Sequence, residues 1–388
     1  MLQAIFFVVS LLLLCYALLL LYYRSGWYSL PYFNAGGTPN TFITVIIPAR
    51  NEAAVIGRCL DALRQQSYPS HLFEVLVVDD FSEDETPAFV QAYATTNIKL
   101  LSLSNYIQPG DTQSFKKKAI EVAVEQAKGE LVVTTDADCI APPGWLHTIA
   151  AFYEAKKPVF IAMPVLIKPA SSFISIFQAL DFMTLQGITA ASVHKKMHSM
   201  CNGANLAYTK TAFNTVNGFW GIDNIASGDD MLLMHKIYHQ WPHQVMYLKS
   251  AAVIVQTAPV NSIAAFFNQR IRWASKADKY DDKRIFSVLL LVYLLNMLLL
   301  LWPFAALGKN FQLSIFNFQF STITSWLLLL CCKTAAELFF LVPVARFFNM
   351  RNILWWFPLM QPVHIVYTVI SGWLGKFGSY KWKDRKVK

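Results

Sequence analysis

Two aspartates stand two positions apart at the end of an apolar run, in the stretch VVTTDADC. At the end of an extended strand, Asp136 and Asp138 can direct their carboxylates toward a single ion and its other ligands. Mg²⁺ and Mn²⁺ prefer hard oxygen ligands, and they often take only one or two carboxylates while phosphates complete the shell. The motif is therefore either a divalent-metal site beside a phosphorylated ligand or an ordinary solvated loop, and other residues must decide.

Two further pairs of acids carry the same ambiguity. Asp79 and Asp80 follow the run VLVV, where they either cap the next helix, as Ser82 can also do, or bind the base or ribose of a nucleotide. Asp229 and Asp230 precede a helical pattern, at the end where the helix dipole stabilises anions. They are either an N-cap or a general base that takes a proton from a hydroxyl group.

Basic and aromatic residues supply the complementary chemistry. Three consecutive lysines, beginning at Lys116, stand at a predicted helix start, where cations oppose the helix dipole unless an anion such as diphosphate is bound nearby. The stretch NQRIRW contains Gln269, Arg272 and Trp273. A guanidinium group matches the geometry of a diphosphate, and an indole offers a flat face to a sugar ring. A solvated basic face and ordinary interfacial anchors are the alternatives.

The elements that position these residues follow from the pattern between Thr41 and about Tyr280. The runs FITVIIPA, FEVLVVDD, NIKLLSL and LVVTTDAD predict four buried strands, and amphipathic segments between them predict helices, one of them ended by Gly129. Alternation of strands and helices predicts a parallel α/β sheet. Ligands of such sheets bind at the carboxyl ends of strands, near a switch in strand order, and both strand-end acid pairs fall there.

Composition separates this domain from apolar flanks. Hydrophobic residues make up 55% of the 388 positions, yet charged residues still reach 15%, which indicates a soluble domain joined to membrane segments. The net charge of +9 fits basic residues kept on the cytoplasmic side, and no basic stripe suggests nucleic-acid binding. The six cysteines form no CxxC motif, which argues against a zinc framework, and we expect Cys139 to serve packing alone.

The predicted membrane segments lie at both ends of the chain. Residues 1–24 predict a retained transmembrane anchor, because no basic segment precedes the apolar run and no A-x-A cleavage site follows it. Residues 285–375 contain three apolar stretches, and the tail 376–388 is basic. Within the second stretch, Lys333 and Glu337 are spaced to neutralise each other.

The third apolar stretch, 353–374, is interrupted by Pro358 and Pro362. We expect it to be re-entrant or interfacial, because a full span would place the basic tail outside the cytoplasm. Two segments nearer the middle of the chain, about 171–190 and 261–275, mix large apolar and polar residues at helical spacing. They are predicted to be interfacial helices or core helices packed on the sheet.

Taken in order, the motifs resemble those of the inverting family 2 glycosyltransferases. They are TVIIPARNEAAVIGRCLDALRQQSYP, VLVVDDFSEDET, KKKAIEVAVEQAKGELVVTTDAD, CNGANLAYTKTAF, GDD and QRIRW, and they extend roughly from Thr41 to Trp273. The flanking apolar stretches are similar to those of the membrane branch, which includes cellulose and hyaluronan synthases and ceramide glucosyltransferases. The resemblance implies an α/β GT-A fold, a Rossmann-like nucleotide-diphospho-sugar transferase domain at 41–280, with transmembrane helices on both sides.

The resemblance also implies a role for each matching residue. Contacts to the nucleotide sugar are implied for Pro48, Ala49, Arg50, Glu52, Asp79, Asp80, Lys116 and Asp136. Mg²⁺ or Mn²⁺ is expected on Asp138 with the help of Asp136, and the catalytic group is expected to be Asp230 with Asp229 and Arg272. The acceptor and diphosphate side is implied for Asn202, Gly203, Asn205, Gln269, Arg272 and Trp273.

Three positions depart from the family pattern. Phe81 and Phe115 replace glycines, which puts the contacts to the base in question, and Asp229 stands where glutamate is commoner. The Q-x-x-R-W motif is associated with processive synthases, yet three apolar stretches make a thin wall for a polymer channel.

We therefore expect inverting transfer of one sugar from a nucleotide-diphosphate sugar, with UDP-sugar favoured, to a lipid or lipid-linked hydroxyl. The expected location is a bacterial cell membrane, with the catalytic domain in the cytoplasm. A processive polysaccharide synthase is one alternative. A non-catalytic nucleotide-sugar-binding subunit of an export complex is another.

Overall fold

The structure is a computed structural model that describes residues 2–95, 97–112, 114–197, 200–225, 227–275, 282–305, 312–315, 318–378, 380–382 and 385–387. The helices are α1 Leu2–Ser29, α2 Ile56–Arg64, α3 Thr86–Ala92, α4 Phe115–Gln126, α5 Trp145–Lys156, α6 Phe173–His194, α7 Lys210–Thr215, α8 Met231–Gln240, α9 Ile263–Ala274, α10 Lys283–Ala305, α11 Thr322–Phe347 and α12 Phe357–Phe377. The strands are β1 Ile43–Ala49, β2 Phe73–Asp79, β3 Ile98–Ser102, β4 Leu131–Thr134, β5 Phe160–Ala162, β6 Val165–Ile167, β7 Leu206–Thr209, β8 Val245–Tyr247, β9 Val255–Thr257, β10 Gln312–Ile315, β11 Phe318–Ser321, β12 Tyr380–Trp382 and β13 Arg385–Val387.

A seven-stranded mixed sheet forms the centre of the α/β domain, in the order β3-β2-β1-β4-β7-β5-β8. Strands β1 to β4 are parallel, whereas β7 runs antiparallel to both β4 and β5. The almost continuous apolar runs of β1 and β2 are buried, as expected for strands covered on both faces. The four predicted strands are confirmed, and the switch in strand order falls between β1 and β4.

Gly129 has a different role from the one predicted. Helix α4 ends at Gln126, and the extended residue Ala127 follows it, so Gly129 does not cap the helix. A Cβ atom on Gly129 would lie 2.5 Å from the backbone nitrogen of Thr44, and the amide of Gly129 donates to Oγ1 of Thr44 at 2.9 Å. The glycine is therefore required for close approach to β1, not for a helix terminus.

Five helical segments in the described ranges are long and apolar enough to cross a membrane. They are Gln3–Ser29, Phe173–His194, Lys283–Phe304, Thr322–Phe347 and Arg351–Phe377. These segments associate the protein with a membrane.

The second segment, which is α6, differs from the others because most of it is buried. Gly26 of α1 packs on Ala191, and Gly187 packs on Val344 of α11. Helix α6 therefore joins the apolar helices to the sheet domain.

Helix α12 continues through Pro362, so the prediction that this proline interrupts the stretch was wrong, whereas a 3-10 helix over Arg351–Trp356 gives way to α12 directly before Pro358. Pro358 stands in the first turn, where its missing N–H group has no partner to lose, and Pro362 is accommodated inside the helix. Both ends of the segment contact the domain. The ring of Trp356 meets that of Phe173 with centroids 6.4 Å apart, and the backbone of Gly375 lies against Ala274.

A buried polar group joins three of the apolar helices. Nζ of Lys333 lies 2.7 Å from Oε1 of Glu337, which confirms the predicted neutralising pair. The hydroxyl of Tyr16 donates to the same oxygen at 2.7 Å. Lys333 also donates to Oε1 of Gln361 at 2.8 Å, and the amide of Gln361 donates to Oε2 of Glu337 at 2.6 Å.

Two of the predicted segments end among residues that the structure does not describe. The predicted domain end at residue 280 lies outside the described residues. Of the basic tail 376–388, the structure describes the end of α12, Gly378 and the short hairpin of β12 and β13.

Candidate active site

A cleft of about 390 Å³ opens at the carboxyl ends of β1 and β4. Parallel pairing of β1 with both β2 and β4 brings these strand ends to one edge of the sheet. The structure brings together the following predicted residues in its lining: Pro48, Ala49, Arg50, Glu52, Asp80, Lys116, Asp136, Asp138, Asn202, Gly203, Asp229, Asp230, Gln269, Arg272 and Trp273. Residues more than 200 positions apart thus face one space.

Lys116 connects two of the acid pairs. Its Nζ lies 2.7 Å from Oδ1 of Asp136 and 3.2 Å from Oδ2 of Asp229. Burial alone would lower the pKa of Lys116, but the carboxylates of Asp136 and Asp229 outweigh it and raise the pKa above its usual value. The lysine is therefore a permanent cation in the cleft, at the place where an anionic ligand would meet the acids.

Asp138 and Asp136 form a candidate metal site. Ligand atoms of Asp136, Asp138 and Cys139 lie within 4.8 Å of one another. Oδ2 of Asp138 accepts a hydrogen bond from Oγ1 of Thr257 at 3.3 Å. Burial and the neighbouring Asp138 carboxylate raise the pKa of Cys139, so it remains a thiol. A protonated sulfur is a poor ligand for Mg²⁺ or Mn²⁺, so the two carboxylates are the groups that suit such an ion.

Asp230 is held at the first turn of α8. Its Oδ1 accepts from the amide of Met231 at 2.7 Å, and its Oδ2 accepts from the amide of Gly203 at 3.1 Å. A Cβ atom on Gly203 would lie 3.1 Å from Oδ2 of Asp229 and 3.4 Å from Nζ of Lys116. Glycine at position 203 thus leaves room for the acids and the lysine to converge.

The N-cap and functional interpretations of Asp230 are therefore compatible. The side chain caps α8 and also lines the cleft, where its backbone hydrogen bonds fix its orientation. A fixed carboxylate beside an open space can accept a proton from a bound hydroxyl group.

Arg50 lines the cleft, but its guanidinium group holds the loop after β2. Nη1 donates to the carbonyl oxygens of Asp80 and Phe81, at 3.0 and 2.5 Å. Nη2 forms an ion pair with Glu83 at 3.0 Å. The amide of Asn51 donates to Oγ of Ser82 at 3.0 Å, which adds a second link. These bonds shape the predicted nucleotide side of the cleft.

Two predicted residues do not line the cleft. Asn205 is fully buried, and its amide donates to the carbonyl oxygens of Pro164 and Val253 at 2.7 and 2.8 Å. Its Oδ1 accepts from the indole of Trp145 at 2.9 Å. Asp79 is buried at the end of β2. The side chain of Asn205 therefore supports the strands behind the cleft, whereas Oδ1 of Asp79 accepts from the amide of Ser82 at 3.3 Å in the loop after β2.

Helix α9 closes the other side of the cleft with Gln269, Arg272 and Trp273. Its first turn is capped by Ser262, whose hydroxyl accepts from the amide of Ala265 at 3.1 Å. Residues of α6 share this wall, and the ring of Phe182 lies 5.9 Å from that of Trp273. The cleft therefore extends from the acids to the apolar helix that contacts α1 and α11.

Sequence reasoning missed the residue that holds this wall in place. Arg270 is buried between the rings of Phe266 and Trp273, 4.7 and 4.3 Å from their centroids. It donates to Oε1 of Gln269 at 2.9 Å and forms a 2.7 Å ion pair with Asp181 of α6. In the sequence, the feature that indicates this contact is Asp181, a single acid in a long apolar segment.

The other oxygen of Asp181 extends this contact to α12. It accepts from the hydroxyl of Tyr367 at 2.5 Å, and Nε2 of His364 lies 4.0 Å away. We name Asp181, Arg270, Tyr367 and His364 the clamp. The clamp ties α6, α9 and α12 together directly behind the acceptor wall.

Comparison with known protein families identifies the family to which the chain belongs. The model of glycosyl transferase family 2 matches residues 44–211, and that of glycosyl transferase family group 2 matches residues 131–370. The chain belongs to glycosyl transferase family group 2. It is therefore a family 2 glycosyltransferase, and its sheet is the predicted GT-A-like one.

Individual relatives are distant. Glycosyltransferase AglE of Haloferax volcanii is 36% identical over 106 residues, covering 27% of this chain and 33% of its own. The beta-monoglucosyldiacylglycerol synthase of Synechocystis sp. is 25% identical over 300 residues, covering 69% of this chain and 59% of its own. The chain thus spans between a third and three fifths of these relatives' length.

A solved structure shares the fold over nearly the whole chain. It is the mannosyltransferase PcManGT from Pyrobaculum calidifontis in complex with GDP-Man and Mn²⁺, with a TM-score of 0.57 and 18% identity. The superposition covers 96% of this chain and 99% of PcManGT.

Proposed function

We propose that this glycosyltransferase moves one sugar from a nucleotide-diphosphate sugar to the hydroxyl group of a lipid, with inversion at the anomeric carbon. The continuity of the cleft carries the proposal. One end contains Asp136, Asp138 and Asp230, and the other is lined by Phe182 and Leu185 of α6. Because α6 also packs against α1 and α11, a lipid from the membrane would reach the acids along this wall.

The acceptor class is supported by the name of the Synechocystis relative, which indicates a glucosylated diacylglycerol product. The donor nucleotide is proposed to be UDP, on the resemblance of the motifs. The GDP-Man in the PcManGT complex makes a GDP-sugar the second donor to test. Mn²⁺ in that complex, and the paired carboxylates of Asp136 and Asp138 here, support a divalent metal as cofactor.

Asp230 is assigned as the base. It takes the proton of the acceptor hydroxyl while the acceptor oxygen forms a bond to the anomeric carbon. The bond between that carbon and the diphosphate oxygen breaks on the opposite face, and the nucleoside diphosphate leaves with the electron pair. The amides of Gly203 and Met231 keep the carboxylate oriented during this step. A positioned base contributes roughly 10²–10⁴-fold to such a rate.

Cationic groups would stabilise the departing diphosphate. Lys116 already lies between two carboxylates in the cleft, and Arg272 faces the same space from α9. When bound, a divalent metal held by Asp136 and Asp138 would add Lewis-acid stabilisation of the same charge. Fixed charges aimed at a developing anion are commonly the largest catalytic term.

The sugar-donor side is assigned to the cytoplasm. Basic residues cluster where the apolar helices meet the domain: Arg24 near the end of α1, Lys283 and Arg284 at the start of α10, Arg346 at the end of α11, and Arg351. Lysine and arginine at helix ends favour the cytoplasmic side. Because both ends of the segment Arg351–Phe377 contact the domain, this segment and the basic tail are assigned to the same side.

The deciding experiment supplies donor and acceptor together. The purified full chain in detergent is incubated with Mn²⁺, diacylglycerol and a panel of radiolabelled UDP- and GDP-sugars. The proposal predicts one labelled lipid carrying a single sugar. Label in material of increasing length would instead indicate a processive synthase. The proposed acceptor would be refuted if no lipid became labelled and the chain hydrolysed the donor no faster than its Asp230→Asn variant.

A further inference from the structure

A second groove lies apart from the catalytic cleft, where α1 and α11 end beside the domain. It encloses about 850 Å³ and shares no lining residue with the cleft. Two helix faces with i, i+3, i+4 and i+7 spacing form its sides, lined among others by Arg24, Trp27 and Tyr28 of α1 and by Phe339, Val342 and Arg346 of α11. Lys249 closes it from the domain side.

The groove concentrates positive charge. Arg24, Lys249 and Arg346 all line it, and within the described residues no carboxylate lies within 4.0 Å of any of these three cations. The ammonium of Lys249 donates to the carbonyl oxygen of Trp27 at 2.8 Å and lies 4.1 Å from the centre of its indole ring. Three cations that line one groove without a carboxylate partner favour an anionic ligand.

Exposed apolar surface adjoins these cations. The side chains of Phe339 and Val342 are 53% and 40% exposed, and Tyr28 is 62% exposed. The guanidinium of Arg24 lies 3.7 Å from the centre of the Phe339 ring. Aromatic and basic side chains at the end of apolar helices are typical of the membrane–water interface. The ligand must therefore combine an anionic head with an apolar body.

We propose that this groove binds an anionic glycerophospholipid, with its phosphate between Arg24, Lys249 and Arg346 and its acyl chains along Phe339 and Val342. The proposal rests on membrane association and is independent of the sugar and acceptor. A bound lipid would join both apolar helices to the domain. The amide of Ala251 already donates to the hydroxyl of Tyr32 across the same groove at 3.0 Å.

The test measures lipid binding to the full chain in a neutral detergent by native mass spectrometry. Phosphatidylglycerol is titrated against phosphatidylcholine, which has similar chains and no net charge. We expect phosphatidylglycerol to form a one-to-one complex that phosphatidylcholine does not form. Each cation near a membrane surface contributes about a fivefold change in affinity, so Arg346→Gln and Lys249→Gln should each weaken binding about fivefold.

Lys156→Gln is the matched control, because it removes one exposed charge from a residue that does not line the groove. It should leave phosphatidylglycerol binding unchanged. Arg346 is exposed at the helix end, so its variant should fold normally. Equal binding of both lipids, or full binding by the Arg346→Gln/Lys249→Gln double variant, would overturn the proposal. Displacement by glycerol phosphate at equal concentration would also overturn it, because the site would then recognise a free anion.

Discussion

The rings of Phe81 and Phe115 meet edge to face, with centroids 5.9 Å apart and planes at 88°. These are the two positions at which the sequence departs from the glycines expected from the family resemblance. Phe81 adjoins Asp80, and Phe115 adjoins Lys116, so the pair connects the loop after β2 to the start of α4. Two departures that looked independent in the sequence therefore form one contact behind the cleft.

Phe81→Gly should have little effect on stability but a measurable effect on donor binding. Phe81 has a φ of 52°, a left-handed conformation that costs roughly 1–2 kcal/mol for a residue with a side chain. The lost aromatic pair contributes about 0.5–1.5 kcal/mol, so the strain that glycine relieves offsets this loss. We expect an unchanged unfolding midpoint and a donor KM raised severalfold. Phe81→Ala, which keeps the strain and loses the ring, should unfold earlier; equal midpoints for both variants would contradict this account.

Asp230→Asn should lower kcat by roughly 10²–10⁴-fold and leave the donor KM nearly unchanged. Asparagine can still accept from the Gly203 amide, so the fold of the cleft should persist. The measurement is steady-state transfer with both substrates varied. Asp223→Asn provides the control, since this acid is exposed seven positions away. Comparable losses in the two variants would show that Asp230 has no specific role.

Metal removal should abolish transfer, and added Mn²⁺ should restore it. Asp138→Asn should weaken Mn²⁺ binding measured by calorimetry, because a hard cation loses an anionic oxygen ligand. Lys116→Met should have the opposite effect on the metal and still reduce transfer. Its ammonium lies 2.7 Å from Asp136 and repels a neighbouring cation. Weaker Mn²⁺ binding by Lys116→Met would place the metal elsewhere.

The clamp predicts a large stability effect from a conservative change. Asp181→Asn leaves the guanidinium of Arg270 buried without its counter-charge, and such a loss costs about 3–5 kcal/mol. Replacing both partners by Asp181→Leu and Arg270→Met should recover much of that loss. Denaturant unfolding in detergent measures both. Transfer should stay low in the double variant, because Gln269 and Trp273 lose the side chain that orients them.

Lipid binding in the second groove should depend on pH through Lys249. Burial lowers the pKa of Lys249 to about 8, so the ammonium is present at pH 7 and largely lost at pH 9. Affinity for phosphatidylglycerol should fall about fivefold across this range, and Lys249→Gln should remove the dependence. Because the pKa of Lys249 in the folded protein is below its usual value of 10.5, the stability of the lipid-free protein should rise as pH increases from 8 to 10.5.

The groups around Lys249 support this assignment to one titration. The other cations that line the groove are the guanidinium groups of Arg24 and Arg346, and the side chains of Tyr28 and Tyr32 also line it. A fall in affinity that persists in Lys249→Gln would assign the effect to another group.

The positions of the acids could be predicted because they depend on a pattern of apolar runs that the sequence shows directly. Buried parallel strands appear as apolar runs, and the residue after each run reaches the ligand edge of the sheet. The apolar runs therefore predicted the positions of Asp80, Asp136 and Asp138 at this edge. It also located Asp230, since a helix start is marked by its own residues.

Other residues depended on contacts between distant segments. Whether Asn205 faces the cleft or the core is decided by carbonyl groups of Pro164 and Val253, which no local pattern reveals. Likewise, Arg270 and Arg272 are chemically alike and two positions apart. Their division into a buried clamp and a cleft residue follows from the packing of α6 and α12 on α9. The continuation of α12 through Pro362 was not predicted, because a proline inside a helix usually kinks or ends it.

The hydrogen bond from Tyr16 to Glu337 spans 321 positions of the chain. During synthesis the first apolar helix leaves the ribosome long before its partner exists, a delay of tens of seconds at about 5–20 residues per second. The whole catalytic domain is made within that interval, as an insertion whose two ends are later joined in the membrane. Until α11 is made, the hydroxyl of Tyr16 therefore lacks the carboxylate that accepts its hydrogen bond in the finished chain.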